Sequence, residues 1–246
     1  MHRRVKHFIR NVSEMPNLPV PIYEFGSRRM VGQEESANVR HMFNSDSYVG
    51  ADYIDGLGVD IVLDIRAIDL PDSSIGTLIC TEVLEHVDRP FEAMKEIFRV
   101  LKDDGLLVLT APMNLEIHGS PFDYWRFTSQ GFEVLLEDFQ FKKISFGGKE
   151  NFPDTIVALA SKSKSIDVAA VNVVFNDWEG TWKKERKSIR GLVILKNLMV
   201  PRIFLGSNYE FLLRKNLSGF SYIKSIVTLL IPNVLSLSYW VNRLRK

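Results

Sequence analysis

Cysteine is nearly absent from this chain: Cys80 is the only one among 246 residues. A single thiol excludes an intrachain disulfide and any zinc site built from several cysteines. Cys80 lies at the end of the apolar run from Thr77, Thr-Leu-Ile-Cys. That setting indicates a small buried core residue and not a reactive thiol.

Long apolar segments are also lacking. The N-terminus, MHRRVKHFIRNV, is basic and has no continuous apolar stretch of the signal-peptide type, so we expect a cytoplasmic protein. Residues 225–241 carry no charge over 17 positions, but Pro232 interrupts them and a membrane-spanning helix needs about 20 apolar residues. Trp240 and the basic residues after it suit a membrane interface instead.

The glycines of a dinucleotide-binding loop are missing as well. That loop needs Gly-x-Gly-x-x-Gly so that backbone amides can approach a pyrophosphate. The turn that begins at Glu24 reads Glu-Phe-Gly-Ser-Arg-Arg-Met-Val-Gly and keeps only the first of these glycines, Gly26. This argues against a nicotinamide or flavin dehydrogenase.

The net charge of +1 conceals an uneven distribution. Residues 1–160 contain 16 basic and 25 acidic side chains, whereas residues 183–246 contain 13 and 2. The excess of acidic side chains in residues 1–160 repels phosphate groups, so we expect no nucleic-acid partner. The basic tail is a candidate for contact with a partner or with anionic lipid.

Strand-like and helix-like patterns alternate over the first two thirds of the chain, which predicts an α/β fold with a mostly parallel sheet. The strand-like segments are 20–24, 48–52, 59–64, 75–81, 106–110, 141–146 and 155–161. The helix-like segments are 34–43, 89–101 and 128–139. Residues 1–161 are predicted to form one domain, and residues 162–246 a basic, partly apolar and helical C-terminal extension.

The helix predicted over 89–101 has the clearest pattern. Phe91, Met94, Ile97, Phe98 and Leu101 recur at the spacing of one apolar face. Pro90 suits the first helical turn, and Asp88 is a candidate N-cap. Thr128 or Ser129 is expected to cap the next helix.

Acidic residues stand at or beside the ends of the first three predicted strands: Glu24, Asp52 and Asp64. In an open α/β sheet these ends form the ligand crevice. Ionised carboxylates accept hydrogen bonds, which suits ribose hydroxyls or an adenine amino group. The alternative is that they are solvated loop acids.

Two denser clusters follow the fourth and fifth strands. Thr81–His86 reads TEVLEH, and Ile117–Thr128 reads IHGSPFDYWRFT. Glu85 and His86 either brace the next helix or face a substrate, and for His86 we favour the structural role. The aromatic residues of the second cluster either pack the sheet edge or border the crevice.

These strings carry a family resemblance. DSSIGTLICT, EVLEHV and RPFEAMKEIFRVLKDDGLLVLTAP resemble the methyltransferase type 11 branch of the class I S-adenosylmethionine-dependent methyltransferases. The similarity covers residues 21–161 and is strongest over 60–136. It implies a Rossmann-like, seven-stranded sheet flanked by helices, with the last strand antiparallel and S-adenosylmethionine bound above the strand ends.

The resemblance also assigns residues by position. The cofactor-binding residues would be Glu24, Gly26 and Ser27 in the first motif, Asp52 at the ribose, Asp64 and Ile65 on the adenine side, and Thr81 and Glu82 on the methionine side. The segment after the fifth strand is similar to one found in a subset of these enzymes. His118 is there a candidate general base, because histidine titrates near neutrality, while Asp123 and Tyr124 would position a polar acceptor.

We therefore expect a methyltransferase that acts on a small molecule or on a lipid- or glycan-linked acceptor, by O-methylation. No His, Cys or Asp cluster has metal-ligand spacing along the sequence, so no metal is expected. A second hypothesis is a non-catalytic, methyltransferase-like module that docks through its tail. The tail itself is open to three interpretations: a lid, a homodimer interface, or a peripheral contact with the inner face of the membrane.

Overall fold

The central element is one seven-stranded sheet in the order β3-β2-β1-β4-β5-β7-β6. The structure is a computed structural model, and it describes residues 3–29, 32, 38–43, 46–118 and 122–182. The strands are β1 (Ile22–Phe25), β2 (Tyr48–Asp52), β3 (Ile61–Val62), β4 (Ile75–Thr81), β5 (Leu101–Pro112), β6 (Phe141–Lys149) and β7 (Phe152–Ser161). β7 runs antiparallel to both of its neighbours, β5 and β6, and the pairings among β1 to β5 are all parallel, which confirms the predicted fold class.

Helices cover both faces of the sheet. They are α1 (Arg3–Ser13), α2 (Pro90–Val100), α3 (Ser129–Leu135) and α4 (residues 168–182), with 3-10 turns at Arg40–Met42 and Leu84–His86. None of the helices in the described part of the chain is long and apolar enough to cross a bilayer.

Alternation along the central strands divides the core between the two faces. In β5, Leu107 and Leu109 join the cluster under α2 and α3, while Leu106 and Val108 join the cluster under α1 and α4. Successive side chains of a strand point to opposite faces, so a strand covered on both sides is apolar throughout. This explains the near-continuous apolar character of β4 and β5, and it places Cys80 in the core, fully buried.

The structure corrects several expectations for α2. The helix begins at Pro90, one residue after the predicted start, and Pro90 lies in the first turn as predicted. Its N-cap is Arg89 and no side chain caps it, so the N-cap role of Asp88 was wrong. Phe91 is 57% exposed, outside the buried stripe of Met94 and Ile97. The helix ends at Val100, one residue before the predicted end, because the chain enters β5 directly at Leu101.

Other boundaries differ less. Thr128 caps α3 by accepting a hydrogen bond from the Gly131 amide at 3.1 Å, as predicted. β3 is shorter than expected. Of the helix predicted over 34–43, residues 40–42 form a 3-10 turn and residues 34–37 lie outside the described residues.

The sequence interpretation did not find α1. Its Val5, Phe8, Ile9 and Val12 are all fully buried. These four residues have the spacing of one apolar helical face, which predicts a helix. The segment was interpreted only by its basic charge, because basic residues lie between the apolar ones.

The helix α4 packs beside α1 on the same face of the sheet. Phe8 meets Phe175 and Trp178 edge-on, with ring centroids 5.5 and 5.6 Å apart, and the Trp178 indole donates to the Arg4 carbonyl at 3.0 Å. The compact unit therefore reaches Trp182, past the predicted boundary at Ser161. Residues 183–246, which include the uncharged segment 225–241, lie outside the described residues.

The contact between β6 and α4 allows a test with a matched control. A Cβ added to Gly147 would overlap the indole ring of Trp182, whereas one added to Gly180 meets nothing within 4 Å. We expect Gly147→Ala to lower the free energy of unfolding by about 1–3 kcal/mol through overpacking. Gly180→Ala should raise it by about 0.5–1 kcal/mol, because alanine is the better helix former. Urea unfolding measures both, and equal stability of Gly147→Ala and the wild type would contradict this packing.

Candidate active site

The site lies where the order of the strands reverses direction. β1 pairs with β2 on one side and with β4 on the other, so the connections leave β1 and β4 toward opposite edges. A crevice opens at such a point beyond the carboxyl ends of parallel strands. Gly26, directly after β1, has φ +82°, and a Cβ there would overlap a methyl group of Val83 from the turn after β4. Glycine is required because these two turns approach each other so closely.

Glu24 stands one residue before the end of β1 and is buried. One of its oxygens accepts a hydrogen bond from the Tyr48 hydroxyl at 2.7 Å. Burial raises the pKa of the Glu24 carboxyl to about 7, although Tyr48, Arg29 and Arg40 act in the opposite direction. Glu24 is therefore protonated over part of the range below neutrality.

Asp52, at the end of β2, reaches across to the turn after β1. Its carboxylate accepts from the Arg28 amide at 3.2 Å and from the Ile54 amide at 3.0 Å. The neighbouring Ser27 hydroxyl is buried, and no residue in the described ranges makes a hydrogen bond with it. A buried hydroxyl without a protein partner is the kind of group that a bound ligand satisfies.

Asp64 lies farther out, after the edge strand β3. Both of its oxygens already accept hydrogen bonds from Arg66, at 2.7 to 3.1 Å. This pairing lowers the pKa of Asp64, and Arg66 extends to Asp88 at 2.7 Å. Ile65 is buried against the core. The structure thus ties Asp64 to an ion-pair network with Arg66 and Asp88.

Thr81 is the last residue of β4 and Glu82 follows it, both beside Thr110 of β5. Thr81 pairs with Thr110, and the Glu82 amide donates to the Thr110 carbonyl at 3.0 Å. Glu82 has φ +55°, a backbone conformation that non-glycine residues adopt at a cost and that concentrates at functional sites. The Thr110 hydroxyl is buried and finds no partner within the described residues.

A second group lies in the segment after β5. Asp123 is nearly buried and forms a two-pronged ion pair with Arg126, which holds the pKa of Asp123 well below its usual range. The same carboxylate accepts from the His118 amide at 2.8 Å and lies 3.2 Å from His118 Nδ1. Arg126 also donates to the carbonyls of Leu115 and Glu116. Asp123 therefore fixes the position of His118.

This segment is attached to the turn after β4. The Glu85 carbonyl accepts hydrogen bonds from the Tyr124 and Trp125 amides, at 2.7 and 3.2 Å. The Trp125 indole donates to the Val87 carbonyl at 2.9 Å, although the residue is 41% exposed. The rings of His86 and His118 meet edge-on, with centroids 4.9 Å apart. The clusters TEVLEH and DYWRFT thus form one wall.

Two residues of this region escaped the sequence interpretation as site residues. Thr110 was treated as strand, since nothing along the chain marks its hydroxyl. Glu85 was left open between a structural role and contact with a substrate, and it was not assigned as a site residue. Its carboxylate is fully buried, and that burial raises the pKa of Glu85 to about 8. Burial of a particular polar atom depends on neighbours distant in sequence, so no local pattern could have predicted it.

Comparison with known proteins gives a consistent result. The family model described as "Methyltransferase domain" matches residues 31–109. No curated protein sequence matches the chain.

Solved structures resemble the fold. A SAM-dependent methyltransferase from Archaeoglobus fulgidus is 15% identical, with 63% of this chain and 92% of that chain covered and a TM-score of 0.48. The YcgJ protein from Bacillus subtilis is 11% identical, covering 66% and 100%, with a TM-score of 0.47. A SAM-dependent methyltransferase from Methanosarcina mazei is 13% identical, covering 61% and 96%, with a TM-score of 0.42.

The buried Glu24 makes a testable contribution to the pH dependence of stability. Its pKa is about 7 in the folded protein and near 4.5 when unfolded, so the folded state binds the extra proton between these values. The stabilisation of the folded state by protonation of Glu24 is fully present below about pH 4.5 and is lost as the pH rises through about 7. The free energy of unfolding falls by at most about 3 kcal/mol over that interval. Glu24→Gln keeps an acceptor for Tyr48 and removes the titration.

The measurement is urea unfolding of both proteins between pH 5 and pH 8. We expect the stability of Glu24→Gln, relative to the wild type, to increase across that interval by about 2–3 kcal/mol. Glu14→Gln, at an exposed position, is the control and should follow the wild type. Parallel curves for Glu24→Gln and the wild type would show that Glu24 is not protonated in the folded state.

Proposed function

We propose that the protein is an S-adenosylmethionine-dependent methyltransferase that methylates a hydroxyl group of a small or lipid- or glycan-linked acceptor, which the match of residues 31–109 to the methyltransferase-domain model supports. S-adenosylmethionine is the cofactor, and when bound it supplies a methyl group on a positively charged sulfur. The chain's own residues must hold that cofactor, align the acceptor and exclude water. Proximity and orientation of this kind can supply about 7–11 kcal/mol of the barrier.

The residues at the strand ends fit the cofactor. Glu24 and Asp52 offer carboxyl oxygens to ribose hydroxyls, and Gly26, which has no Cβ, lets the turns after β1 and β4 approach each other. The buried hydroxyls of Ser27 and Thr110 have no partner among the described residues. These are properties that a polar, phosphate-free ligand would use. We assign Thr81 and Glu82 to the methionine side, and Asp64 with Ile65 to the adenine side.

The observation that carries the choice of acceptor is the His118–Asp123–Arg126 arrangement. The Asp123 carboxylate lies against Nδ1 of His118, and Arg126 fixes Asp123 in turn. An acceptor hydroxyl must lose its proton during methyl transfer, whereas an amine acceptor need not have a base. A histidine oriented by a buried carboxylate beside the crevice suits a hydroxyl. We therefore propose that His118 activates the hydroxyl, and that Asp123 and Tyr124 position His118 and the acceptor.

The surface beside His118 favours an acceptor with an apolar part. Ile117, Phe122 and Tyr124 are 90%, 59% and 47% exposed. Exposed apolar side chains grouped at a crevice are typical of ligand or membrane contacts. We propose that residues 183–246, with 13 basic and 2 acidic side chains, supply further contact with an anionic membrane that holds such an acceptor.

Cofactor binding tests the role of Asp52. Hydrogen bonds to charged groups contribute about 1.5–3 kcal/mol, so Asp52→Asn should weaken S-adenosylmethionine binding by about 10- to 100-fold in calorimetry. Asp55→Asn is the matched control, because the Asp55 side chain accepts only a local bond from Gly56, at 2.8 Å. If the wild type binds no S-adenosylmethionine at millimolar concentration, or Asp52→Asn binds as the wild type does, the assignment fails.

Activity on cell extract tests the acceptor. Extract separated into lipid and aqueous fractions is incubated with the protein and methyl-labelled S-adenosylmethionine. We expect a labelled ether in the lipid fraction, and His118→Gln should lower its rate by about 100- to 10,000-fold while cofactor binding stays intact. His41→Gln, at an exposed position on the 3-10 turn after β1, is the control. Bound cofactor with no labelled product would favour the non-catalytic module.

A further inference from the structure

Three side chains that offer metal-ligating atoms converge beside the crevice. Glu85 and His86 belong to the turn after β4, and His118 belongs to the segment after β5. One ligand atom from each lies within 4.8 Å of the other two. The sequence interpretation expected no metal, because the three residues have no metal-ligand spacing along the chain. The sheet and the docking of the second segment bring them together.

The Glu85 carboxylate is the first sign that a cation belongs here. Its side chain is 0% exposed, and no neighbouring residue in the described ranges donates a hydrogen bond to either oxygen. A buried carboxylate normally has several donors or a cation against it, since its desolvation is otherwise uncompensated. The Glu85 backbone cannot move away to solvent, because its carbonyl holds the Tyr124 and Trp125 amides.

In both histidines it is Nδ1 that lies within hydrogen-bond distance of an acceptor. His86 Nδ1 lies 2.6 Å from the Phe122 carbonyl oxygen, which can only accept, so Nδ1 carries the hydrogen. His118 Nδ1 faces two acceptors at 3.2 Å, the Asp123 carboxylate and the Glu116 carbonyl. In the neutral form of either ring the lone pair is therefore on Nε2. A carbonyl or carboxylate behind the non-ligating nitrogen is the usual support of a metal-bound histidine.

The distances and exposure agree with this arrangement. His86 Nε2 lies 3.9 Å from a Glu85 oxygen, too long for a hydrogen bond. Two ligands of one cation at ~2.1 Å from it stand ~3–4.2 Å apart, so the 3.9 Å pair fits as it stands, and a pair at the 4.8 Å limit would have to close by roughly 0.6 Å when a cation binds. The side chains of His86 and His118 are 21% and 42% exposed, so the side opposite Glu85 is open. Three protein ligands with an open position are typical of catalytic and not structural metal sites.

We propose that Glu85, His86 and His118 bind one divalent transition-metal cation whose open position takes the acceptor hydroxyl. Two imidazoles and a carboxylate suit zinc, iron, cobalt or manganese. This inference rests on the proposed hydroxyl methylation and defines how His118 activates the hydroxyl: as a ligand of the cation, not as the base. The cation lowers the pKa of the coordinated hydroxyl, and the proton passes to solvent. The O–CH₃ bond then forms as the S–CH₃ bond breaks, and the sulfur keeps the electron pair.

Metal binding is measured on the full chain, stripped with EDTA and titrated with Zn²⁺ by calorimetry and with Co²⁺ by absorption. We expect one ion per chain and at least ~100-fold weaker binding in both Glu85→Gln and His118→Gln. His41→Gln should bind as the wild type does. Circular dichroism and S-adenosylmethionine binding establish that each variant is folded, and His118→Gln, on a partly exposed loop, keeps the test valid if Glu85→Gln unfolds. The site is overturned if the wild type binds no stoichiometric metal, or if both ligand variants bind metal with the affinity of the wild type.

A second experiment distinguishes failure of the metal site from failure of the proposed function. Methylation of the lipid fraction should be lost after EDTA treatment and restored by Zn²⁺, Co²⁺ or Mn²⁺, while S-adenosylmethionine still binds. If metal-free protein methylates at the full rate, the metal site is overturned. The proposed hydroxyl acceptor is then retained, with His118 as the base. Stoichiometric metal without any labelled ether supports the site and overturns the acceptor.

Discussion

The parallel pairing of β1 with β4 is the constraint on which the rest of the structure depends. All seven residues of β4 are buried, so the strand can lie only at the centre of the sheet, with helices on both faces. Its neighbour β1 leads toward one edge and β4 leads toward the other. The turns that leave them meet at Gly26 and Val83, where the Val83 side chain leaves no room for a Cβ on residue 26. The crevice follows from this geometry before any functional residue is considered.

The wall beyond β4 and β5 depends on backbone hydrogen bonds more than on side-chain packing. The Glu85 carbonyl holds Tyr124 and Trp125, the Val87 carbonyl holds the Trp125 indole, and Asp123 with Arg126 closes the segment on itself. These bonds leave Phe122 and Tyr124 exposed while they bury the Glu85 carboxylate. A polar cluster and an apolar rim thus lie side by side, which suits an acceptor with a hydroxyl group and an apolar part.

The periodicity of apolar residues predicted the elements whose buried faces are covered evenly by the rest of the core. β4 and β5 are covered on both faces, and α2 presents one stripe to the sheet, so their apolar residues repeat in the expected way. Phe91 was misplaced because it belongs to the apolar pattern by type but projects beyond the edge of the contact. The helix α1 was missed because its four buried positions are embedded among arginines and lysines. The strand predicted over 106–110 begins already at Leu101, because the chain passes directly from α2 into β5.

The sequence by itself determined the α/β class, the strand-end positions of Glu24, Asp52 and Asp64, and the methyltransferase resemblance, because each depends on residues close together along the chain. Tertiary structure alone decided what those residues contact. It ties Asp64 to Arg66, raises the pKa of Glu24 by burial, and leaves Glu85 without a donor among the described residues. It also brings His118 to His86. Burial, hydrogen-bond partners and ligand geometry arise between segments that meet only after the sheet has formed, so their physical cause lies in the fold and not in any local pattern.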